Sequence, residues 1–257
     1  MATRLASART WDGGRLPKAR SCELYLSLGC ALENLAIAAE YFGLRCTVEP
    51  RPSRPVVIVE AVLSAASKRS WRPHLSELFT AITRRHTARS PFGERPIFAK
   101  KRERLEQLSL EPGCRLFLTE NLAAKRTVER LAADAVLVQP GRGRLAVPWA
   151  DWGASSALAE ATSVVAAPVI GVVSTTSDDR LAQILAGQVF ERLFLTTTSL
   201  TLDMRPMSAV MQRLELRAQV ADLLPEAGLF PQVAFKIGSP GTDEWEHTPR
   251  RPLLDVE

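Results

Sequence analysis

Two long segments of the chain are apolar on more than one helical face. Between Glu23 and Phe42, apolar residues fall at Leu24, Leu28, Ala31, Leu32, Leu35, Ile37, Ala38 and Ala39. This pattern predicts a central, buried helix rather than a surface one. Gly43 follows it as the expected C-cap. Arg180 to Leu200 predicts a second such helix, and Met207 to Leu224, closed by Pro225, a third. Shorter helical patterns cover His74 to Arg85, the charged stretch Pro96 to Leu108, and Glu120 to Ala133, which Ala135 to Val138 either continues or follows as a short strand.

Strand signals lie between the helices. Cys46 and Val48 alternate with polar residues before the prolines at 50, 52 and 55. The β-branched run Val56 to Leu63 is a strand, with a loop from Ser64 to Arg72. Arg115 to Leu118, Ala167 to Ser174 and Gln232 to Gly238 complete the set, the last with polar and apolar residues alternating. Residues 1–20 read as a ragged start without an apolar h-region, and Gly141 to Ala154 as turn-rich. No apolar run is expected to reach the length of a membrane span. Mixed helices and strands of this kind predict an α+β fold.

The two buried helices align without a gap. Leu28 to Leu35 sets Gly29 against Gly187, Glu33 against Glu191 and Leu35 against Leu193 in Ala186 to Leu193. Val56 to Leu63 then corresponds to Val233 to Gly238. Either two apolar helices are alike by chance, or the chain holds two copies of one α+β half about a pseudo-twofold axis. A glycine inside a helix costs about 1 kcal/mol against alanine. Its recurrence at the same place predicts a close helix–helix seam. Glu33 and Glu191 are then expected to be structural partners for arginine rather than catalytic acids.

The 257 residues carry a net charge of +5 and a sequence pI near 9.3, compatible with an anionic ligand. The run Lys100 to Arg104 reads as a solvated helix face. The four cysteines and three histidines show no metal-like spacing, so inert thiols and no metal site are expected. The motif G-x-S-x-G is absent, and Asp178-Asp179 reads as an N-cap pair before Leu181. Positive charge concentrates in two places. Arg84, Arg85, His86, Thr87 and Arg89 follow a helix and precede Pro91, and Arg250 and Arg251 lie between Pro249 and Pro252. Guanidinium forks with a threonine hydroxyl suit one phosphate dianion. Each knot by itself is also compatible with a surface ion-pair cluster. Nucleic acid is disfavoured because no aromatic residues interleave with the arginines.

Four stretches, in order, resemble the nitroreductase-like FMN flavoproteins, in their tandem (Acg-type) branch. Arg84 to Phe92 is similar to that branch's R-R-x-T-N-R-x-x-F segment. Glu23 to Leu35 and Ala186 to Leu193 resemble its two half-domain helices, and Pro249 to Val256 resembles its P-R-R-P-x-x-x-V ending. The resemblance implies a nitroreductase-like α+β fold, a mixed sheet flanked by helices. Residues 1–73 would form a shortened first half and residues 74–257 a second half carrying the phosphate site. It implies FMN held by Arg84, Arg85, His86, Thr87 and Arg89, closed by Arg250 and Arg251. NAD(P)H would be the reductant and a nitroaromatic, quinone or similar small molecule the acceptor. It also implies a cytoplasmic monomer (a pseudo-dimer) or homodimer, without membrane or nucleic-acid partners. The catalytic residues are not specified. The branch's flavin-contacting segment before the first helix is not found after Met1, and Ala88 replaces its asparagine. The alternative is therefore a non-catalytic flavin- or phospholigand-binding protein of the same fold.

Overall fold

The structure, a computed structural model, describes residues 3–9, 18–50, 57–65, 74–87, 90–93, 95–137 and 164–241. Two antiparallel sheets stand on either side of a helical pair. The first is built from β1 (Thr3–Arg9), β2 (Leu44–Pro50) and β3 (Val57–Ala65), in the order β1-β3-β2. The second is built from β4 (Cys114–Thr119), β5 (Val169–Thr175), β6 (Asp203–Pro206) and β7 (Phe230–Gly238), in the order β4-β5-β7-β6. The helical pair is α1 (Lys18–Tyr41) and α5 (Arg180–Ser199).

The two sheets repeat one connectivity. In β1-α1-β2-β3 the last strand enters between the first two and pairs antiparallel with both. In β5-α5-β6-β7 the last strand does the same. The correspondence of β3 with β7 is the one expected from the sequence alignment, and β4 is an addition beside β5.

Helices α1 and α5 cross at the two aligned glycines. A Cβ added to Gly29 would lie 2.0 Å from the Ile184 carbonyl oxygen, and one added to Gly187 would lie 2.2 Å from that of Leu26. The missing side chains let the two backbones touch, as the sequence seam requires. Reciprocal contacts flank the crossing. Arg192 donates from Nε and Nη2 to the two Glu33 oxygens at 2.7 and 2.8 Å, and Asn34 donates to Glu191 Oε1 at 3.0 Å. Glu33 is fully buried, and Arg192 also reaches Glu111 and the Ser109 carbonyl. Burial alone would lower the Arg192 pKa, but the Glu33 and Glu111 carboxylates outweigh it and hold the guanidinium charged.

One face of the second sheet packs Val169, Val173, Val233, Phe235 and Ile237 on Val189, Phe190, Leu193 and Phe194 of α5. Its other face, with Ile170, Val172 and Ala234, is covered by α4 (Leu122–Leu137) and by α6 (Ser208–Met211) and α7 (Leu214–Ala221). Strand β7 is thus buried from Pro231 to Gly238, so its polar alternation does not mark a wet face. Helix α2 (Leu75–Arg84) fills the groove between α1 and α5 with Leu75, Leu78 and Ala81 against Ile37 and Leu195. Helix α3 (Ala99–Glu106) presents the expected charged face, with Arg102 paired to Glu106 and Glu120 and Arg104 to Glu77.

The structure corrects five expectations. Residues 3–9 form a strand rather than a ragged start, and Asp203–Pro206, unassigned in the sequence, forms β6. The third long helix is two short ones broken at Arg213, whose backbone is extended. Val210 and Leu216 share one core, yet in a continuous helix they would lie about 120° apart. Asp179 is the N-cap of α5, accepting from the Ala182 amide, but Asp178 instead takes a bidentate pair from Arg217. Finally, Cys22–Tyr41 is long and apolar enough to cross a membrane by length and composition. In this fold it packs against α5 with Glu33 in a buried ion pair. The alternative left open after α4 resolves in favour of helix, which continues through Leu137.

Replacing Gly29 by alanine tests the seam. In an ordinary helix the change gains about 1 kcal/mol. Here the methyl meets backbone, and overpacking of about 1–3 kcal/mol or more is expected to win. A lower urea midpoint for Gly29→Ala, with Gly187→Ala behaving alike, is the expected result.

Candidate functional site

The first basic knot sits where α2 ends. Its last turn closes with the Arg85 amide donating to the Ala81 carbonyl at 2.8 Å. There the backbone becomes extended at Arg85, with φ −58° and ψ 126°. That change turns the following side chains off the helix and toward α5 and β6. Arg84 and Thr87 are exposed. Arg85 Nε lies 3.0 Å from Glu191 Oε1, and its guanidinium stacks 4.9 Å from the Phe194 ring centroid. His86 Nε2 lies 3.8 Å from Asp203 Oδ1, an ion-pair distance but longer than a hydrogen bond.

Each of these carboxylates is sheltered. The Glu191 side chain is 3% exposed, against 25% for Arg85. Burial raises the Glu191 pKa above its ordinary value, while Arg85, the Asn34 amide and the Cys30 thiol oppose that rise. Burial likewise raises Asp203, with His86 and Arg205 opposing. Cys30 is pushed up to about 12, first by burial and then by the Glu191 charge. Cys114 is pushed up to about 11 by burial and by Glu111. None of the four cysteines is disulfide-bonded.

The chain beyond the knot is fastened to the end of β7. Gly93 and Ser239 form an antiparallel bridge, with the Gly93 amide donating to the Ser239 carbonyl at 2.9 Å. Ser239 Oγ donates to the Arg95 carbonyl at 3.1 Å. The Phe92 ring fills the notch at Gly238, where a Cβ would approach it to 2.7 Å. Arg205 donates to the Ser90 carbonyl at 3.0 Å and lies 5.9 Å from the Phe92 ring centroid. The segment leaving β7 therefore starts beside the knot. Of the expected site residues, the structure brings Arg84, Arg85, His86 and Thr87 to one helix end. Arg89, Arg250 and Arg251 lie outside the described residues.

Sequence reasoning did not assign Asp203 or Arg205 to this region. The signal was present for both. In Leu202-Asp203-Met204-Arg205-Pro206 the polar and apolar residues alternate, as in a strand with both charges on one face.

No family model matches the sequence, and no curated protein does. Solved structures do. A nitroreductase with bound FMN from Bacteroides fragilis superposes with a TM-score of 0.52 at 13% identity, covering 70% of this chain and 97% of the other. A nitroreductase with bound FMN from Desulfitobacterium hafniense gives 0.53 at 13% identity, over 68% and 94%. An NADPH:FMN oxidoreductase from Vibrio harveyi complexed with NAD+ gives 0.51 at 16% identity, over 70% and 76%. The chain has the nitroreductase fold. The α+β class expected from the sequence is therefore the observed one, and at these identities the likeness concerns architecture.

Within this nitroreductase fold Cys30, beside the site, and Cys114, at the start of β4, are poor nucleophiles. A thiol held near 12 carries on the order of a hundredfold or more less thiolate than a free cysteine at pH 8. Iodoacetamide at pH 8 is expected to leave Cys30 and Cys114 unmodified in the native protein and to label both after unfolding. Peptide mass spectrometry reads the outcome.

Proposed function

We propose that this protein is an FMN-dependent oxidoreductase of nitroreductase type. It would pass reducing equivalents from NAD(P)H to a nitroaromatic, quinone or similar small acceptor. The observation that carries the reading is the cluster at the end of α2, in a fold shared with FMN-bound nitroreductases. The donor set suits a phosphate. Arg84 and Arg85 offer guanidinium forks and Thr87 a hydroxyl, at a partly exposed helix end. The buried Glu191 carboxylate beside Arg85 fixes that side chain and offsets part of its charge, and Asp203 lies at ion-pair distance from His86. In this reading Arg84, Arg85, His86, Thr87 and Arg89 hold the phosphate and ribityl groups, and Arg250 and Arg251 close on the phosphate. When bound, FMN supplies the hydride and electron chemistry; the protein's share is to bind, orient and exclude water.

The same reading takes residues 1–73 and 74–257 as two nitroreductase-like halves of a tandem, Acg-type chain. The repeated strand order and the reciprocal contacts between α1 and α5 support it, since exchange of equivalent positions is how a twofold interface is built. We propose a cytoplasmic protein acting as a monomeric pseudo-dimer or a homodimer.

The test is to add FMN to the purified protein, remove the excess, and record the flavin absorbance and the oxidation of NADH and NADPH with a nitroaromatic or quinone. A retained flavin band with turnover is the expected outcome. No band and no turnover would sink the proposal, whereas retention without turnover would leave a non-catalytic flavin-binding protein. Arg85→Ala is expected to weaken FMN by about 1.5–3 kcal/mol, the range for a charged hydrogen bond. An unchanged Kd would move the phosphate site elsewhere.

A further inference from the structure

Glu191 is a carboxylate 3% exposed, on the helix that forms the seam, and it faces a guanidinium assigned to an anionic ligand. Its other neighbours are the Asn34 amide and the Cys30 thiol of α1, with the Glu33 charge adding repulsion. From β6 and the end of α2, Asp203 and His86 form a separate pair nearby. Among the described residues the carboxylate relies on the partly exposed cation Arg85 for charge compensation, together with neutral donors.

We infer that Glu191 is a proton-linked counter-ion that competes with the ligand's phosphate for Arg85, so that anion binding at this site takes up a proton. This rests on the proposed FMN site. With Arg85 turned to Glu191, the pair is compensated and the carboxylate stays ionised. A phosphate dianion arriving at the same guanidinium brings two further negative charges close to a carboxylate that water barely reaches. Charge at this depth is weakly screened, and the cheapest relief is protonation of Glu191. Burial already favours that neutral form. Coupling is reciprocal: if the bound phosphate favours the protonated carboxyl, the protonated carboxyl favours the bound phosphate. Affinity therefore rises as pH falls through the Glu191 range and declines above it. The same contact makes Glu191 a specificity determinant, because riboflavin, lacking the phosphate, would bind without proton uptake.

The experiment measures the FMN Kd of the wild type and Glu191→Gln from pH 5.5 to 8.5. Protonation of the FMN phosphate, His86 and Asp203 is common to both proteins, so their difference isolates Glu191. Glu191→Gln is expected to bind FMN on the order of tenfold tighter at pH 8. The two curves should converge toward pH 5.5. Superposable curves, or weaker binding by the variant at pH 8, overturn the inference while leaving the FMN site intact. Absence of FMN binding by both proteins at every pH overturns the site and the inference together. If Glu191→Gln does not fold, calorimetry on the wild type in two buffers of different ionisation enthalpy decides instead. Proton uptake with FMN and none with riboflavin is expected; no uptake with FMN overturns the inference.

Discussion

The closest constraint in the molecule is the backbone contact between Gly29 and Gly187. Added Cβ atoms would come within 2.9 Å of the opposing Cα, so neither helix tolerates a side chain at the crossing. Everything polar at the seam follows from that approach. With the axes this near, Glu33 and Arg192 meet without water between them, and Asn34 meets Glu191. A buried ion pair is weak grounds for stability, because desolvation offsets the attraction. Its value here is registry: a one-turn slip of α1 along α5 would strand Glu33, fully buried, without its cation.

The seam also decides how the ligand-facing side is built. Glu33 and Glu191 occupy equivalent positions but serve different partners. Glu33 is saturated by Arg192, which is shared with Glu111 and the Ser109 carbonyl. Glu191 pairs with Arg85 at the end of α2, where the guanidinium remains a quarter exposed. A repeated framework thus carries one closed end and one partly exposed end, with α2 wedged between the long helices to present Arg85 there.

Much of this was legible in the chain, and the failures share a cause. The two central helices, their matched glycines and the strands β3, β5 and β7 could be read because burial on several faces leaves a dense apolar signal. The glutamates were readable as arginine partners from their places on that pattern. The segments misread were those whose structure is set by distant partners. Residues 3–9 become a strand through β3, and Asp203–Pro206 through β7. The break at Arg213 serves a core assembled from five elements, which no local window contains. The basic knot was legible as charge, but its carboxylates, Glu191 and Asp203, lie over a hundred residues away in sequence and carry no local mark.

The central position of β7 has a consequence for how the protein is made. This strand is the last of its sheet in sequence, yet it lies between β5 and β6 and is the only link between them among the described strands. The knot, in turn, is fastened to the residues just after it, through Gly93, Arg95 and Phe92, across a separation of 144 residues for the Arg95–Ser239 bond. During synthesis the second sheet therefore stays open, and the ligand-facing loop unanchored, until residue 239 has left the ribosome. Contacts of such range fold slowly and expose strand edges meanwhile. The arrangement around Arg85 and His86 is thus a late product of translation, and a nascent chain stopped before β7 holds the arginines without that geometry.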